Sequence, residues 1–248
     1  MNSLTPKQRE IRQRELQILD LARPMLAAGG LAALSMDAIA HELRTAKGTI
    51  YNHFPNKEEI VLALAVEAVD RRLDLFNRAV LMRGTSRQRI AAIGIACEIF
   101  VDYLPDWFCA EQLIRHESVW GKTSTRRQEI MRNCEGRCMH TVAGVVRDAV
   151  ASGDLVLHTP HGIEDIVFGL WSLVHGGLVL EDTSPSLADI GIVDSRRAIR
   201  RNCNALLDGL QWLPLYNPVD YDRWIEHVRT HLISQGLPAK TSVRHKDS

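Results

Sequence analysis

The chain has 248 residues, 46% of them hydrophobic and 24% charged, which is ordinary for a soluble globular protein with a sizeable core. Lysine plus arginine balance aspartate plus glutamate at 30 each, so the composition excludes a global basic excess. Any surface that binds nucleic acid must therefore be a local cluster of charges.

Targeting and membrane segments are not indicated by the sequence. The N-terminus is polar and charged, unlike a signal peptide. The most apolar run, residues 166–180, contains His175 and is too short to cross a bilayer, so we predict a buried helix there. Five cysteines without regular spacing are typical of free thiols in a reducing compartment. We expect a soluble cytoplasmic protein.

The periodicity of apolar residues predicts an all-α chain, since strand-like alternation bounded by turns is missing. Glycine and proline residues separate the predicted helices, with Gly29-Gly30 as the first stop. Ser35 is a good N-cap, and Asn56 with Glu59 forms a pattern like a capping box. The helices are predicted at about residues 7–28, 36–43, 46–53, 57–81, 86–104, 106–117, 123–152, 162–180, 194–213 and 220–235.

The third predicted helix is short and has two different sides. With about 100° per residue and Ile50 pointing inward, Ala46 and Phe54 also lie on the inner side. The positions that face outward are Gly48, Thr49, Tyr51 and Asn52. A tight turn at Arg44-Thr45 joins this helix to the one before it. This is the geometry of a helix-turn-helix, whose second helix enters the major groove of DNA.

Individual side chains in this region suit contacts with DNA. Gly48 removes bulk where the helix must approach the sugar-phosphate backbone, and Ser35 lies at a helix N-terminus that attracts anions. Lys57, with Tyr51 and His53, can contact further phosphates. By helical wheel and charge alone, a packed corner of an ordinary helical protein explains the pattern equally well.

A longer pattern decides between these two interpretations. The run KGTIYNHFPNKEE at residues 47–59 follows ILDLARPMLAAGG and LSMDAIAHELRTA, and together they resemble the DNA-binding head of TetR-family transcriptional regulators over about residues 11–62. The resemblance implies that DNA is contacted by Lys47, Thr49, Tyr51, His53 and Lys57.

The sequence departs from the family at the turn before the third helix. Arg44, Thr45 and Ala46 stand where the family has a glycine, an apolar residue and a serine. Arg44 must accept the backbone geometry of that turn, and it also places a long cation at the DNA surface. The candidate DNA-binding residues are Ser35, Met36, Arg44, Thr45, Lys47, Gly48, Thr49, Tyr51, Asn52, His53 and Lys57.

The resemblance also implies a helical domain for ligand binding and dimerisation after the head. We therefore predict a helix-turn-helix domain at residues 1–56, an effector-binding and dimerisation domain at 57–237, and a disordered tail at 238–248. The helices at 162–180 and 194–213 are candidates for a dimer interface, because a symmetric dimer matches a palindromic site; otherwise they are core helices of a monomer. The small residues expected to permit close approach there are Gly169, Gly176 and Gly177.

Aromatic residues in the middle of the chain either line a pocket for an apolar effector or fill the core. The candidate pocket residues are Phe100, Tyr103, Trp107, Phe108, Trp120, Met131, Cys138, Trp171 and His175. Cys134 and Cys138 lie four residues apart, which suits a soft metal or oxidation sensing, although the apolar stripe around them favours two small core residues. We predict no cofactor and no metal.

Together these features predict a homodimeric, ligand-responsive transcriptional regulator, most simply a repressor that a small molecule releases from operator DNA. An enzyme is not predicted, since a phosphate-binding glycine loop, a nucleophile elbow and an HExxH motif are missing. The alternatives are a constitutive DNA-binding protein without an effector and a metal- or redox-sensing regulator that uses Cys134 and Cys138.

Overall fold

The computed structural model describes residues 5–158, 162–184 and 186–238, which form eleven α-helices and no strand. The predicted all-α class is confirmed for these residues. The helices are α1 (Pro6–Ala33), α2 (Met36–Glu42), α3 (Lys47–His53), α4 (Lys57–Val80), α5 (Ser86–Tyr103), α6 (Pro105–Leu113), α7 (Glu117–Trp120), α8 (Thr125–Ser152), α9 (Ile163–Thr183), α10 (Ser195–Gly209) and α11 (Pro218–Ser234).

Most predicted helix boundaries lie within a few residues of the observed ones. Short α7 was not predicted, and the prediction of a single helix over 106–117 was wrong because α6 ends at Leu113. The helix predicted at 194–213 ends at Gly209, since Gln211 adopts a positive φ of 56° that a helix does not allow. Apart from residue 238, the predicted tail lies outside the described residues.

The described chain packs as two compact units. Unit 1 comprises Met1–Arg71 and Leu104–Glu135, and unit 2 comprises Arg72–Tyr103 and Gly136–Ser248. Helices α4 and α8 therefore contribute residues to both units. The predicted boundary at residue 56 separates a DNA-binding domain from an effector-binding domain. It is a division by function, and it stays a prediction.

In unit 1, α1, α2 and α3 share a small apolar core. Ile18 of α1, Ile39 of α2 and Ile50 of α3 are fully buried, as is Phe54 directly after α3. The stop predicted at Gly29-Gly30 is confirmed, because Gly30 has a φ of 63° and interrupts the regular helix there. This break turns the chain toward α2.

The start of α6 packs in unit 1 through the indole of Trp107, which is buried. Two guanidinium groups lie over this ring, Arg23 at 4.9 Å and Arg71 at 4.4 Å from the ring centroid. Arg23 also lies 3.6 Å from the carboxylate of Asp106. Trp107 thus joins α6 to α1 and α4 through cation–π contacts.

In unit 2, glycines bring α9 and α10 into close contact. A Cβ atom on Gly177 would lie 2.4 Å from Cγ1 of Ile199, and one on Gly169 would lie 3.3 Å from Cδ2 of Leu206. A Cβ on Gly176 meets nothing within 4 Å among the described residues. Two of the three glycines predicted to permit close approach therefore do so within the chain, between α9 and α10.

A buried ionic network holds α5, α10 and α11 together in unit 2. Glu98 of α5 accepts hydrogen bonds from Arg200 at 2.8 Å and Arg229 at 3.1 Å, and Asp102 pairs with Arg229 at 3.0 Å and Arg196 at 2.7 Å. Burial raises the pKa of Glu98, and the three arginines oppose that rise. Removing one partner would leave an unpaired buried charge, which is strongly destabilising.

Gly177→Ala is expected to lower the free energy of unfolding by about 1–3 kcal/mol, because the new methyl group overlaps Ile199 at the α9–α10 contact. The matched control is Gly144→Ala in α8, where a Cβ meets no described atom within 4 Å. The free energy of unfolding of that control should rise by up to about 1 kcal/mol, because alanine has a higher helix propensity than glycine. Urea unfolding measures both changes, and equal stability of the two variants would contradict the assignment.

Candidate nucleic-acid interface

Hydrogen bonds fix the path from α2 to α3. Ser35 caps α2, since its Oγ accepts from the backbone N–H of Ala38 at 3.2 Å. After α2, the N–H of Thr45 donates to the carbonyl of Ala40 at 3.0 Å and closes the turn. Ser35 is thus confirmed as an N-cap, and the turn directs the chain into α3.

Arg44 lies in this turn with a φ of 48°, in the left-handed region. The conformation costs an L-residue with a side chain roughly 1–2 kcal/mol relative to glycine. As predicted, Arg44 accepts a backbone geometry that suits glycine. Its side chain is exposed, and so is available to a partner.

Helix α3 presents an exposed side with polar and aromatic groups. Lys47, Gly48, Tyr51 and Asn52 are exposed, whereas Thr49 and His53 are half-buried. The inward placement predicted for Ala46 is wrong: it is exposed, because it precedes α3 as its N-cap with an extended backbone, where the helical wheel does not apply. Tyr51 is 41% exposed, a large fraction for an aromatic side chain.

The lysine of this surface is held by a neighbour in α2. Lys47 Nζ lies 2.6 Å from Oδ1 of Asp37 and 5.8 Å from the centroid of the Tyr51 ring. The hydrogen bond to Asp37 raises the pKa of Lys47, so the ammonium stays charged. A Cβ on Gly48 would meet nothing within 4 Å, so packing among the described residues does not require glycine there.

Two further predicted residues lie at helix starts. Lys57 begins α4, which Asn56 caps by accepting from the N–H of Glu59 at 2.8 Å. The Asn56 half of the predicted capping box is confirmed, while the Glu59 carboxylate accepts from the N–H of Ser124. Met36 is buried, which leaves its backbone N–H at the start of α2 as the group that can face DNA.

The nine predicted pocket residues are divided between the two units, and their role as a pocket stays a prediction. Those buried are Phe100, Trp107, Phe108, Met131 and Cys138, and those half-buried are Tyr103, Trp120, Trp171 and His175. Arg132 lies over Trp120 at 5.5 Å, and Trp171 contacts His175 at 6.0 Å between ring centroids.

Unit 2 contains a cleft of about 710 Å³ that the sequence did not predict. Its walls come from α5, α10, α11 and the linker before α11, and they include Gln88, Asn204, Tyr216, Tyr221, Trp224 and His227. The Tyr216 and Tyr221 rings meet edge to face at 5.4 Å, and burial raises the pKa of Tyr221. None of the nine predicted pocket residues lines this cleft.

The two thiols considered as a metal or redox site lie on α8 and are both buried. Within residues 5–158, 162–184 and 186–238, three or more His, Cys, Asp or Glu side chains do not gather into a group able to hold a metal ion. The burial of Cys134 and Cys138 agrees with their interpretation as small core residues.

Helix α9 is the one described helix long and apolar enough to cross a membrane. Only 22% of its most apolar stretch is buried within the chain, so the prediction of a buried helix too short to cross a bilayer was wrong on both points. Phe168 is 64% exposed and Leu180 is 53% exposed, so the surface of α9 carries large uncovered apolar side chains.

Three helices share a common core, a tight turn joins the last two, and the last helix has an exposed polar and aromatic side; these features define a helix-turn-helix protein. Residues 18–64 match the family model described as bacterial regulatory proteins, tetR family. The predicted resemblance to TetR-family transcriptional regulators is therefore confirmed over this segment. Regulators of this family are not enzymes, which supports the prediction that the chain is not one.

Two curated relatives each match about a third of the chain. The fatty acid metabolism regulator protein of Bacillus subtilis is 28% identical over 33% of this chain and 42% of its own length. The HTH-type transcriptional repressor KstR of Mycolicibacterium smegmatis is 35% identical over 32% of this chain and 39% of its own length. The chain thus spans about two fifths of the length of these relatives.

The fold extends further than the sequence similarity. The crystal structure of PfmR, a TetR family transcriptional regulator from Thermus thermophilus, superposes with a TM-score of 0.57 at 16% identity. The match covers 78% of this chain and 98% of that chain. At this identity the likeness establishes the fold.

Arg44→Gly is expected to raise the free energy of unfolding by about 1 kcal/mol, because glycine adopts the φ of 48° without strain. The same substitution should weaken DNA binding, since it removes an exposed cation. Urea unfolding and titration with DNA measure the two effects.

Gln211→Gly is the matched control for Arg44→Gly, because Gln211 also has a positive φ, of 56°, and lies in unit 2 outside the helix-turn-helix. It should increase stability and leave DNA affinity unchanged. A decrease in stability for Arg44→Gly would mean that the arginine makes stabilising contacts within the chain.

Proposed function

We propose that the chain is a transcriptional regulator that binds palindromic operator DNA as a homodimer, represses transcription, and is released by a small molecule. The exposed side of α3 carries the proposal: Lys47, Tyr51 and Asn52 face outward from a helix whose other side is buried through Ile50. Such a side fits the major groove, where side chains reach base edges.

The surrounding residues have complementary parts in this proposal. Ser35 and the N-terminus of α2 attract phosphate, as does Lys57 at the start of α4. Arg44 extends from the turn toward a phosphate or a guanine edge. Thr45, Thr49 and His53 border the surface, and the backbone of Met36 joins the anion site. Gly48 keeps α3 close to the groove.

Lys47 changes partners when DNA binds. In the free protein it pairs with Asp37, and both side chains are more than half exposed. Such exposed pairs contribute little to stability, so a DNA phosphate competes effectively for the lysine. The chain as a whole has no net charge, so its salt dependence reports these local contacts.

Tyr51→Ala is expected to abolish specific operator binding and leave stability nearly unchanged, because this ring is exposed and outside the apolar core. Footprinting on the DNA that flanks the gene, across a salt series, measures the affinity of parent and variant. The parent should protect a palindrome whose occupancy falls steeply with salt. Unchanged affinity of Tyr51→Ala would refute the assignment of α3 as the recognition helix.

The uncovered surface of α9 supports a homodimer. Phe168 and Leu180 are more than half exposed, and exposed side chains of this size on an apolar helix mark an interaction site. A palindromic operator is matched by a two-fold symmetric dimer, in which the same surface of each subunit contacts that of the other subunit. We assign the interface to α9 and α10, in agreement with the predicted segments 162–180 and 194–213.

Phe168→Glu is expected to yield a monomer with weak operator binding, because association would bury an unpaired carboxylate at the interface. Leu81→Glu is the matched control, since Leu81 is 82% exposed at the end of α4 and outside the assigned interface. Light scattering gives the mass of each variant. A dimeric Phe168→Glu protein would exclude this face of α9 from the interface.

The cleft of unit 2 supports a response to a small molecule. Its volume of about 710 Å³ lies in the range of ligand sites, and its walls combine aromatic rings with an asparagine and a glutamine side chain. A fully packed domain would instead favour constitutive DNA binding. The operator assay tests this proposal directly. A compound that binds the cleft should lower DNA occupancy, because it binds the DNA-free protein more tightly than the DNA-bound protein.

A cytoplasmic location follows from this role, because the proposed partner is genomic DNA. All five cysteines lie outside disulfide bonds, which agrees with a reducing compartment. We therefore interpret the apolar helix α9 as an interface helix.

A further inference from the structure

Residues Lys122, Ser124 and Arg127, named here the clasp, hold the junction between α3 and α4 in unit 1. Lys122 and Ser124 lie in the segment between α7 and α8, and Arg127 lies in the first turn of α8. All three are more than sixty residues away in sequence from the groups that they bind. The TetR-type motif ends before them, at residue 64.

Arg127 makes three different contacts at this junction. Its Nε lies 2.9 Å from Oε2 of Glu59 in α4, and its Nη2 lies 3.4 Å from Oε1 of Glu15 in α1. Its guanidinium also lies over the Phe54 ring, 4.7 Å from the centroid. Phe54 is fully buried and ends α3, so one side chain links α1, the end of α3 and the start of α4.

The other two members of the clasp bind the same short segment. Lys122 Nζ lies 3.0 Å from Oε1 of Glu58, and the Lys122 carbonyl accepts from the side-chain amide of Asn56 at 3.0 Å. The backbone N–H of Ser124 donates to Oε1 of Glu59 at 2.6 Å. Both Glu58 and Glu59 are buried, whereas Lys122 is exposed. The Arg127–Glu59 pair is therefore the one shielded from solvent more than surface pairs are.

The described contact of the clasp with this region is made at Phe54, the buried residue directly after α3. Lys47 and Tyr51 are exposed, whereas Phe54, which Arg127 contacts, is fully buried. Because α3 has only seven residues, a small change at Phe54 alters the direction of the whole helix. Side chains that read base edges must be held to within about half an ångström of their binding geometry.

We propose that Arg127 is a positioning residue for DNA binding, which sets the orientation of α3 without touching DNA. The proposal rests on the proposed function of α3 as the recognition helix. It makes operator affinity depend on α8, a helix that lies outside the family motif.

Two variants separate positioning from folding. Arg127→Lys keeps a cation near Glu59 but loses the planar group that covers Phe54 and reaches Glu15. The double variant Arg127→Met with Glu59→Gln removes the buried charge together with its partner, which preserves stability better than a single removal. Thermal unfolding identifies the folded proteins. Arg89→Lys is the matched control, because Arg89 pairs with Asp148 in unit 2.

Operator affinity measured across a salt series is the first test. Both variants should bind roughly tenfold more weakly, with Arg127→Lys the less affected, while the control binds like the parent. The dependence of log affinity on log salt should keep the parent slope, because no phosphate contact is lost. Parent affinity in both variants would overturn the proposal. A slope reduced by about 0.9 per subunit would also overturn it, since Arg127 would then contact phosphate directly.

Hydrogen exchange without DNA is the second test, and it does not depend on the operator. The amide of Phe54 donates to the carbonyl of Ile50 at 2.9 Å, and it should exchange faster in both variants, while amides of α9 keep the parent rate. Unchanged exchange in α3 would overturn the positioning role. A third outcome is that exchange in α3 is faster in both variants while the parent protein protects no DNA. The proposed function would then be refuted, whereas the conclusion that Arg127 restrains α3 would still hold.

Discussion

Burial of Ile50 and Phe54 is the constraint on which the DNA-binding part of the molecule depends. Helix α3 has seven residues, whereas an isolated helix needs about 12–15 to be stable in water. Its backbone therefore holds only because one side is buried against α1 and α2, where Ile18 and Ile39 are equally inaccessible to solvent. That single packed side leaves the opposite one entirely free for polar and aromatic groups.

The same constraint explains why a strained turn is tolerated. Both helices joined by Arg44 are anchored in the core, so the cost of its positive φ is offset by the burial that the turn makes possible. A glycine at this place would remove the strain and the side chain together. The arginine thus lowers stability somewhat and places a cation beside α3.

The sequence allows the head to be predicted better than the rest because its determinants are contiguous. Ser35, Gly30 and Asn56 cap or break helices through local hydrogen bonds and backbone geometry, and all three behave as predicted. Ala46 was misplaced because helical periodicity does not extend to an N-cap residue. The cleft of unit 2 was missed, since its walls come from distant segments without a shared pattern.

The clasp was missed for a related reason. The pattern around Glu59 indicates a capping box, but the electrostatics of a buried carboxylate favour a cation, and Arg127 is nearly seventy residues away along the chain. In unit 2, the pairing of Glu98 with Arg200 and Arg229 likewise requires the tertiary structure. Sequence patterns predict which acidic residues lie on a helix. The cations that pair with buried acidic residues are set by the tertiary packing, which brings together residues distant in sequence.

The exposed apolar side chains of α9 also have a thermal consequence. Association through apolar surface carries a negative heat-capacity change, and the hydrophobic contribution weakens on cooling. A dimer built on this helix is therefore held less tightly in the cold. Under the proposed function, operator occupancy would vary with the square of the subunit concentration once the dimers dissociate. The response of the regulated genes in a chilled cell would then depend steeply on the amount of protein.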